Sequence, residues 1–212
     1  MPPAKFLPLL RKICDEVGSL LVLDEIYTGF GRTGRWFATE HSGTIPDIIC
    51  LGKALTGGFP LSACVGHADL MDQAWPLSSG EAIHTSTYLG HPVGCAMALA
   101  QIAEVRSQSL CERAKALGEF LRSELEAIEF PKSMNRSVRG SGLLIGLELR
   151  QPDGKPDTGS SLAVIKRMLK LGFVLLPEGE SSNVISFTPP LTVTKNQLHR
   201  TVLALEKSLG EL

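Results

Sequence analysis

Leu20-Leu21-Val22-Leu23-Asp24-Glu25 is an uninterrupted apolar run that stops at two acids, and its reading decides the fold class. A short strand with no polar alternation is one buried on both faces, as strands of parallel sheets are. Ahead of it, residues 5–17 carry Phe6, Leu9, Leu10, Ile13, Cys14 and Val17 at helical spacing, with Gly18 where a helix would stop. A helix followed by such a strand is an α/β unit. The pattern repeats in Asp47-Ile48-Ile49-Cys50-Leu51 and Leu61-Ser62-Ala63-Cys64-Val65, read as a second and a third strand of the same kind.

Working outward, Pro92 suits the first position of a helix running to about Val105, and an amphipathic helix follows from about Leu110 to Ile128. Beyond Pro131 the character changes. Residues 138–149 read as one strand and Gln151–Ser160 as turns. A helix near 161–171, strands near 173–176 and 183–187, and a helix near 194–208 complete an α+β set. The spacing predicts two domains, 1–130 and 131–212, with the boundary near 129–137.

Composition narrows the function classes. The chain has 212 residues, 43% hydrophobic and 20% charged, with a formal net charge of −1, which gives no electrostatic reason to expect nucleic acid or an anionic membrane. Lys5, Arg11, Lys12, Asp15 and Glu16 interrupt every apolar run near the N-terminus, so no signal peptide is expected there. The five cysteines are widely spaced and form no Cys-x-x-Cys pair. They read as reduced, mostly buried thiols of a cytoplasmic protein, with no metal site.

Gly29-Phe30-Gly31-Arg32-Thr33-Gly34 matches a dinucleotide-binding pattern, but that pattern must lie in the strand-to-helix turn itself. Here Glu25–Thr28 intervene, and Ser42-Gly43 and Pro46 follow too soon for a crossover helix. A phosphate loop at Gly52-Lys53 fails as well, because Asp47 stands where glycine is needed and Ala54 where Ser or Thr is needed.

Asp24 and Lys53 are the pair with chemical reach. In a parallel sheet both would leave the carboxyl edge of neighbouring strands, where open α/β folds bind ligands. A lysine and a carboxylate across one cleft suit pyridoxal 5'-phosphate (PLP). The amine would form a Schiff base, and the acid would keep the pyridine nitrogen protonated. On spacing alone, a solvated surface lysine is the commoner reading, by about four to one, and an Asp-Glu pair after a strand is often a loop cap.

Asp24-Glu25-Ile26-Tyr27-Thr28-Gly29-Phe30-Gly31-Arg32-Thr33-Gly34 resembles the Asp-Glu-x-x-Thr-Gly-Phe-Gly-Arg-Thr-Gly stretch of class III aminotransferases, which are fold-type I PLP enzymes. So do Pro46-Asp47-Ile48 through Gly52-Lys53-Ala54-Leu55-Thr56-Gly57-Gly58, His84-Thr85-Ser86-Thr87-Tyr88-Leu89-Gly90-His91-Pro92, Val138-Arg139-Gly140-Ser141-Gly142-Leu143 and Pro189-Pro190-Leu191. The resemblance implies part of a fold-type I large domain, a mainly parallel sheet with helices, followed by a small C-terminal α+β domain. It implies that Lys53 is the Schiff-base lysine and Asp24 the pyridinium partner. Ile26 would lie on one ring face and Tyr27 near the ring's phenolic oxygen. Ser86 and Thr87 would reach the cofactor phosphate of a neighbouring subunit, making the protein a homodimer. Amino donor and keto-acid acceptor would be small molecules.

Three positions depart from the family's pattern. Tyr27 stands where glutamine is common, and His91 where asparagine caps a turn. Ser186 stands where many members carry an arginine that grips a substrate carboxylate. Family subunits are also roughly twice this length, so the phosphate-binding turn and the residue stacking on the second ring face fall outside this sequence. The leading expectation is a transaminase. A non-catalytic fragment of one is the alternative, and an aminomutase a more distant one.

Overall fold

The computed structural model describes residues 2–76, 80, 87–130 and 134–211. They form two compact units: Pro2–Phe30 with Arg35–Ser109, and Gly31–Gly34 with Leu110–Leu212.

In the first unit, α1 (Phe6–Val17) ends at Gly18, whose φ of 69° provides the left-handed stop expected there. β1 (Val22–Asp24) and β2 (Ile48–Leu51) pair in parallel, as the two apolar runs predict. Asp47 fixes their start. Its carboxylate accepts from Arg11 Nη1 at 2.6 Å and from the Leu21 backbone N–H at 2.7 Å. The Arg11 hydrogen bond, then that of Leu21, holds the Asp47 carboxyl below its usual range.

β3 (Ala63–Gly66) differs from expectation: it joins β2 antiparallel. A third parallel strand would need a crossover of a dozen or more residues, usually helical. The 52–62 connection holds only a 3-10 turn at Lys53–Leu55. The described sheet is therefore mixed, in the order β1-β2-β3. A seven-residue helix, α2 (Ala68–Ala74), and then α3 (Pro92–Ser107) complete the unit. Phe30, Leu51, Leu55 and Ala98 form its small core. No residue of α1 is buried; Phe6, Leu9, Ile13 and Val17 line an apolar face left open within this chain.

The second unit holds the larger core. α4 (Leu110–Ala127), which the sequence places in the first domain, packs here instead. Its Leu117, Leu121 and Leu125 are buried with Leu147 and Leu149, so the packing divides before α4 and not near residues 129–137. The segment expected as a single strand is a hairpin, β4 (Asn135–Ser141) and β5 (Leu144–Arg150), turning at Gly142, whose φ is 52°. α5 (Thr158–Lys170) begins earlier than expected because Asp157 accepts from the Ser160 N–H at 3.0 Å, capping the helix. β6 (Leu176–Glu178) and β7 (Val184–Phe187) extend the sheet in the order β4-β5-β7-β6. α6 (Lys195–Gly210) opens on a Thr194/Gln197 capping box.

Glu148, 5% exposed in β5, is held by Arg139, Arg150 and Asn183. Burial pushes its carboxyl up, but Arg139, Asn183 and Arg150 together bring it below its ordinary value. A lowered folded pKa gives stability that is present above the unfolded value and lost as pH falls through the folded one. The thermal midpoint is thus expected to drop on acidification through and below the ordinary glutamate range. Glu148→Gln should flatten that slope; an unchanged slope would assign the acid sensitivity elsewhere.

Candidate active site

The parallel register Val22↔Ile48, Leu23↔Ile49, Asp24↔Cys50 brings the carboxyl ends of β1 and β2 to one edge. Asp24 closes β1 there. Leu51 and Gly52 carry β2 one step further to Lys53. Leu51 and Leu55, both buried, anchor the chain on either side of the lysine, which is itself exposed. Lys53 has a φ of 41°, in a region non-glycine residues seldom occupy. A Cβ on Gly52 would lie 3.3 Å from Ile26 Cγ2, so glycine lets Ile26 close on this turn. Lys53 Nζ stands 5.4 Å from the centroid of the Tyr27 ring. Asp24 Oδ1 accepts from the Ile26 N–H at 2.8 Å, and its other oxygen accepts no hydrogen bond among the described residues. Asp24, Ile26, Tyr27 and Lys53 therefore share one edge of the first unit.

Glu25 adjoins Asp24 in sequence, yet its surroundings differ sharply. It is 3% exposed, and both carboxylate oxygens are engaged. Oε1 accepts from Thr39 N at 2.8 Å, while Oε2 accepts from Ala38 N at 3.0 Å and from the Thr28 hydroxyl. It works as a buried clamp on the long connection from β1 to β2, a role that no sequence spacing shows. Glu25→Ala would leave two backbone donors without their acceptor, a loss of about 2–4 kcal/mol. Thermal or urea unfolding measures this; a loss no larger than that of Asp24→Ala would contradict the clamp.

Thr87 lies exposed in the turn before α3, and Ser86 lies outside the described residues. His91 occupies the N-cap of α3 but makes no side-chain cap hydrogen bond. Its Nδ1 is buried without a partner among the described residues, and the ring lies 5.1 Å from that of Phe59. Turn capping by the His91 side chain, expected by analogy with asparagine, does not occur: the ring packs on aromatic neighbours instead. Among the described residues no group of three or more His, Cys, Asp or Glu could hold a metal ion, and no helix is long and apolar enough to cross a membrane.

The family description "Aminotransferase class-III" matches residues 1–209. The chain belongs to the class III aminotransferases. It is 36% identical over 211 residues to the alanine/serine racemase of Pyrococcus horikoshii, covering 100% of this chain and 43% of that protein. It is 39% identical over 215 residues to the putrescine aminotransferase of Pectobacterium atrosepticum, covering 100% and 44%. The ornithine aminotransferase structure from Toxoplasma gondii, described as showing partial PLP occupancy at its active site, superposes with a TM-score of 0.85 at 30% identity, covering 100% of this chain and 47% of that one. The chain thus spans about half the length of the relatives it matches. The likeness to a solved aminotransferase supports the α/β class and its reading as part of a fold-type I domain.

Within this class III chain, the Gly31–Gly34 loop has a structural task in the second unit. Arg32 Nη1 donates to the carbonyls of Leu143 at 3.0 Å and Pro189 at 2.6 Å, and the Arg32 carbonyl accepts from Leu143 N at 3.0 Å. The Ser141 hydroxyl donates to the Thr33 carbonyl at 2.9 Å. The motif that matches a dinucleotide loop in sequence is a backbone dock for the β4–β5 hairpin. Ser186 sits in β7, 7% exposed, opposite Gly146 and Leu176. It lines a cleft of about 400 Å³ with Phe173, Leu176, Phe187 and Pro189, and no lining residue is charged.

Proposed function

We propose that this chain supplies the lysine-and-carboxylate side of a PLP site in an enzyme that moves an amino group between an amino acid or ω-amine and a keto acid. The observation that carries the reading is the shared strand edge. It holds an exposed lysine in a strained backbone conformation and, on the same edge, a carboxylate with one oxygen unengaged among the described residues. Strained, exposed and lacking a packing role, such a lysine fits function better than stability. Bound PLP supplies an aldehyde that captures amines and a ring that draws electrons from the neighbouring carbon.

Lys53 would hold that group covalently, and its amine would be the base and acid placed to move a proton. The second oxygen of Asp24 would accept from the ring nitrogen and favour its protonated form. Ile26, close against Gly52, would present an apolar surface to one ring face, and the Tyr27 hydroxyl would donate near the ring's edge. Ser86 and Thr87 would donate to a phosphate held by a second subunit, which calls for a homodimer as the working form; the cytoplasm is its proposed location. Serine at position 186, where many members of the family carry an arginine, offers no bidentate clamp, which disfavours a dicarboxylate donor.

In PLP-loaded protein, Asp24→Asn is expected to retain covalent attachment at Lys53 while slowing proton removal from the donor about a hundredfold or more. Rapid-mixing spectroscopy of the first half-reaction measures this. A rate near that of the unmodified protein would remove Asp24 from the reaction.

A second reading has a specific motive, since relatives of equal similarity are named as racemases. A racemase returns the proton to the opposite face of the same carbon without releasing the amino group. Incubation with PLP, an L-amino acid and a keto acid separates the readings: new amino acid from the keto acid marks transfer, and D-isomer without it marks racemisation. Neither product, with Lys53 unlabelled, would favour a non-catalytic chain.

A further inference from the structure

Cys50 and Cys64 face each other across the β2–β3 pair. The Cys50 carbonyl accepts the Glu25 N–H at 2.9 Å from the β1 side. The N–H and C=O of one residue leave a strand on the same side, so Cys50 directs no backbone hydrogen bond toward β3. The Cys50↔Cys64 position is therefore the non-hydrogen-bonded kind, in which opposed Cα atoms stand about 4.5 Å apart and side chains share one face at their closest approach. That spacing falls inside the ~4.4–6.8 Å window that a disulfide bridges, at its short end. Cys64 is exposed and Cys50 half-buried, and both are free. Burial chiefly, with Cys64 and then Asp24 adding to it, raises the Cys50 thiol above its ordinary value, which also reflects how near the two sulfurs stand.

We propose that Cys50 and Cys64 form a reversible modification site, closed to a cross-strand disulfide by small-molecule disulfides and reopened by thiols. Cys64, the accessible member, attacks one sulfur of the oxidant as thiolate and releases one small thiol. Cys50 then gives up its proton and displaces the second small thiol from Cys64. Two protein thiols are oxidised to one S–S bond, and one small disulfide is reduced to two thiols. A bond at the short end of the window is strained and correspondingly easy to reduce. Once formed, it ties β3 to the strand that leads into Lys53, beside Asp24. The inference rests on strand register and not on the cofactor reading.

The test is to incubate the native chain with oxidised glutathione, count thiols and digest it without reduction. Titratable thiols are expected to fall from five to three, because one pair closes. The mass should fall by two hydrogens, with Cys50 and Cys64 in one cross-linked fragment, and dithiothreitol should restore all five. Cys64→Ser should abolish the two-hydrogen loss, whereas Cys14→Ser and Cys111→Ser should keep it. Five persistent thiols, a cross-link through any other pair, or glutathione resting on Cys64 with Cys50 still free would each overturn the proposal. The fragment map of the unmodified chain distinguishes these outcomes even if a variant folds poorly.

Discussion

Gly118→Ala is expected to destabilise the Leu110–Leu212 unit by on the order of 3 kcal/mol, the upper end of overpacking costs. The sign is the informative part. Gly118 lies inside α4, where alanine is ordinarily the better residue by about 1 kcal/mol. A Cβ there would sit 2.0 Å from the Gly142 carbonyl oxygen and 2.4 Å from its carbon, against backbone that cannot swing aside. Gly142 is pressed in turn from the other side: its own Cβ would meet Thr33 C at 2.4 Å and Gly34 N at 2.5 Å. Helix, hairpin turn and the Gly31–Gly34 loop thus touch backbone to backbone in three layers. Gly159→Ala, in α5 with nothing nearer than 3.8 Å, is the control and should gain up to about 1 kcal/mol. Chemical denaturation of both variants measures the pair. A stabilised Gly118→Ala would mean the three layers are not in contact.

Lys53 shows the opposite balance. Lys53→Ala should abolish selective covalent attachment of PLP and all turnover, while unfolding stability changes by no more than about 0.5 kcal/mol. The side chain is exposed, and its contact with the Tyr27 ring at 5.4 Å adds little at such a site. Lys53→Gly goes further. At a φ of 41° glycine relieves backbone strain, so that variant should be equally stable or up to about 1 kcal/mol more stable, and equally unreactive. Stability falling by several kcal/mol in either variant would show a structural lysine instead.

How much of the fold is legible in the sequence follows from what each element depends on. β1 and β2 are legible because their apolar runs are unbroken, and their ends carry Asp24 and Lys53 at the same edge; the expected burial on both faces does not hold within this chain, where Val22 is 51% exposed and most of β2 is half-buried. The parallel or antiparallel sense of β3 is not legible in its composition; only the length of the Gly52–Ser62 connection speaks to it. The hairpin at Gly142 does leave a turn signal in Gly140-Ser141-Gly142, which is overlooked when the apolar run from Leu143 is read as one strand with the residues before it. The helical spacing of α4 is plain, but its partner core lies later in sequence, so chain order does not reveal its unit. Glu25 and the cysteines make the same point. The clamp on Thr39 and the opposition of Cys50 to Cys64 arise from long-range register. The expectation of mostly buried thiols fails too, since only Cys111 is buried.

The length of the chain has a measurable consequence for PLP binding. The chain spans about half the length of its relatives, and PLP phosphate is ordinarily held by several charge-assisted or backbone hydrogen bonds. Lacking even three of these, at ~1.5 kcal/mol each, weakens binding by on the order of a thousandfold. The most direct test is to titrate the chain with PLP, reduce with borohydride and map the labelled lysine. The account predicts weak binding but a selective label, confined to Lys53 and lost in Lys53→Ala. Label spread evenly over exposed lysines such as Lys5 and Lys12, or concentrated on any lysine but Lys53, would contradict it.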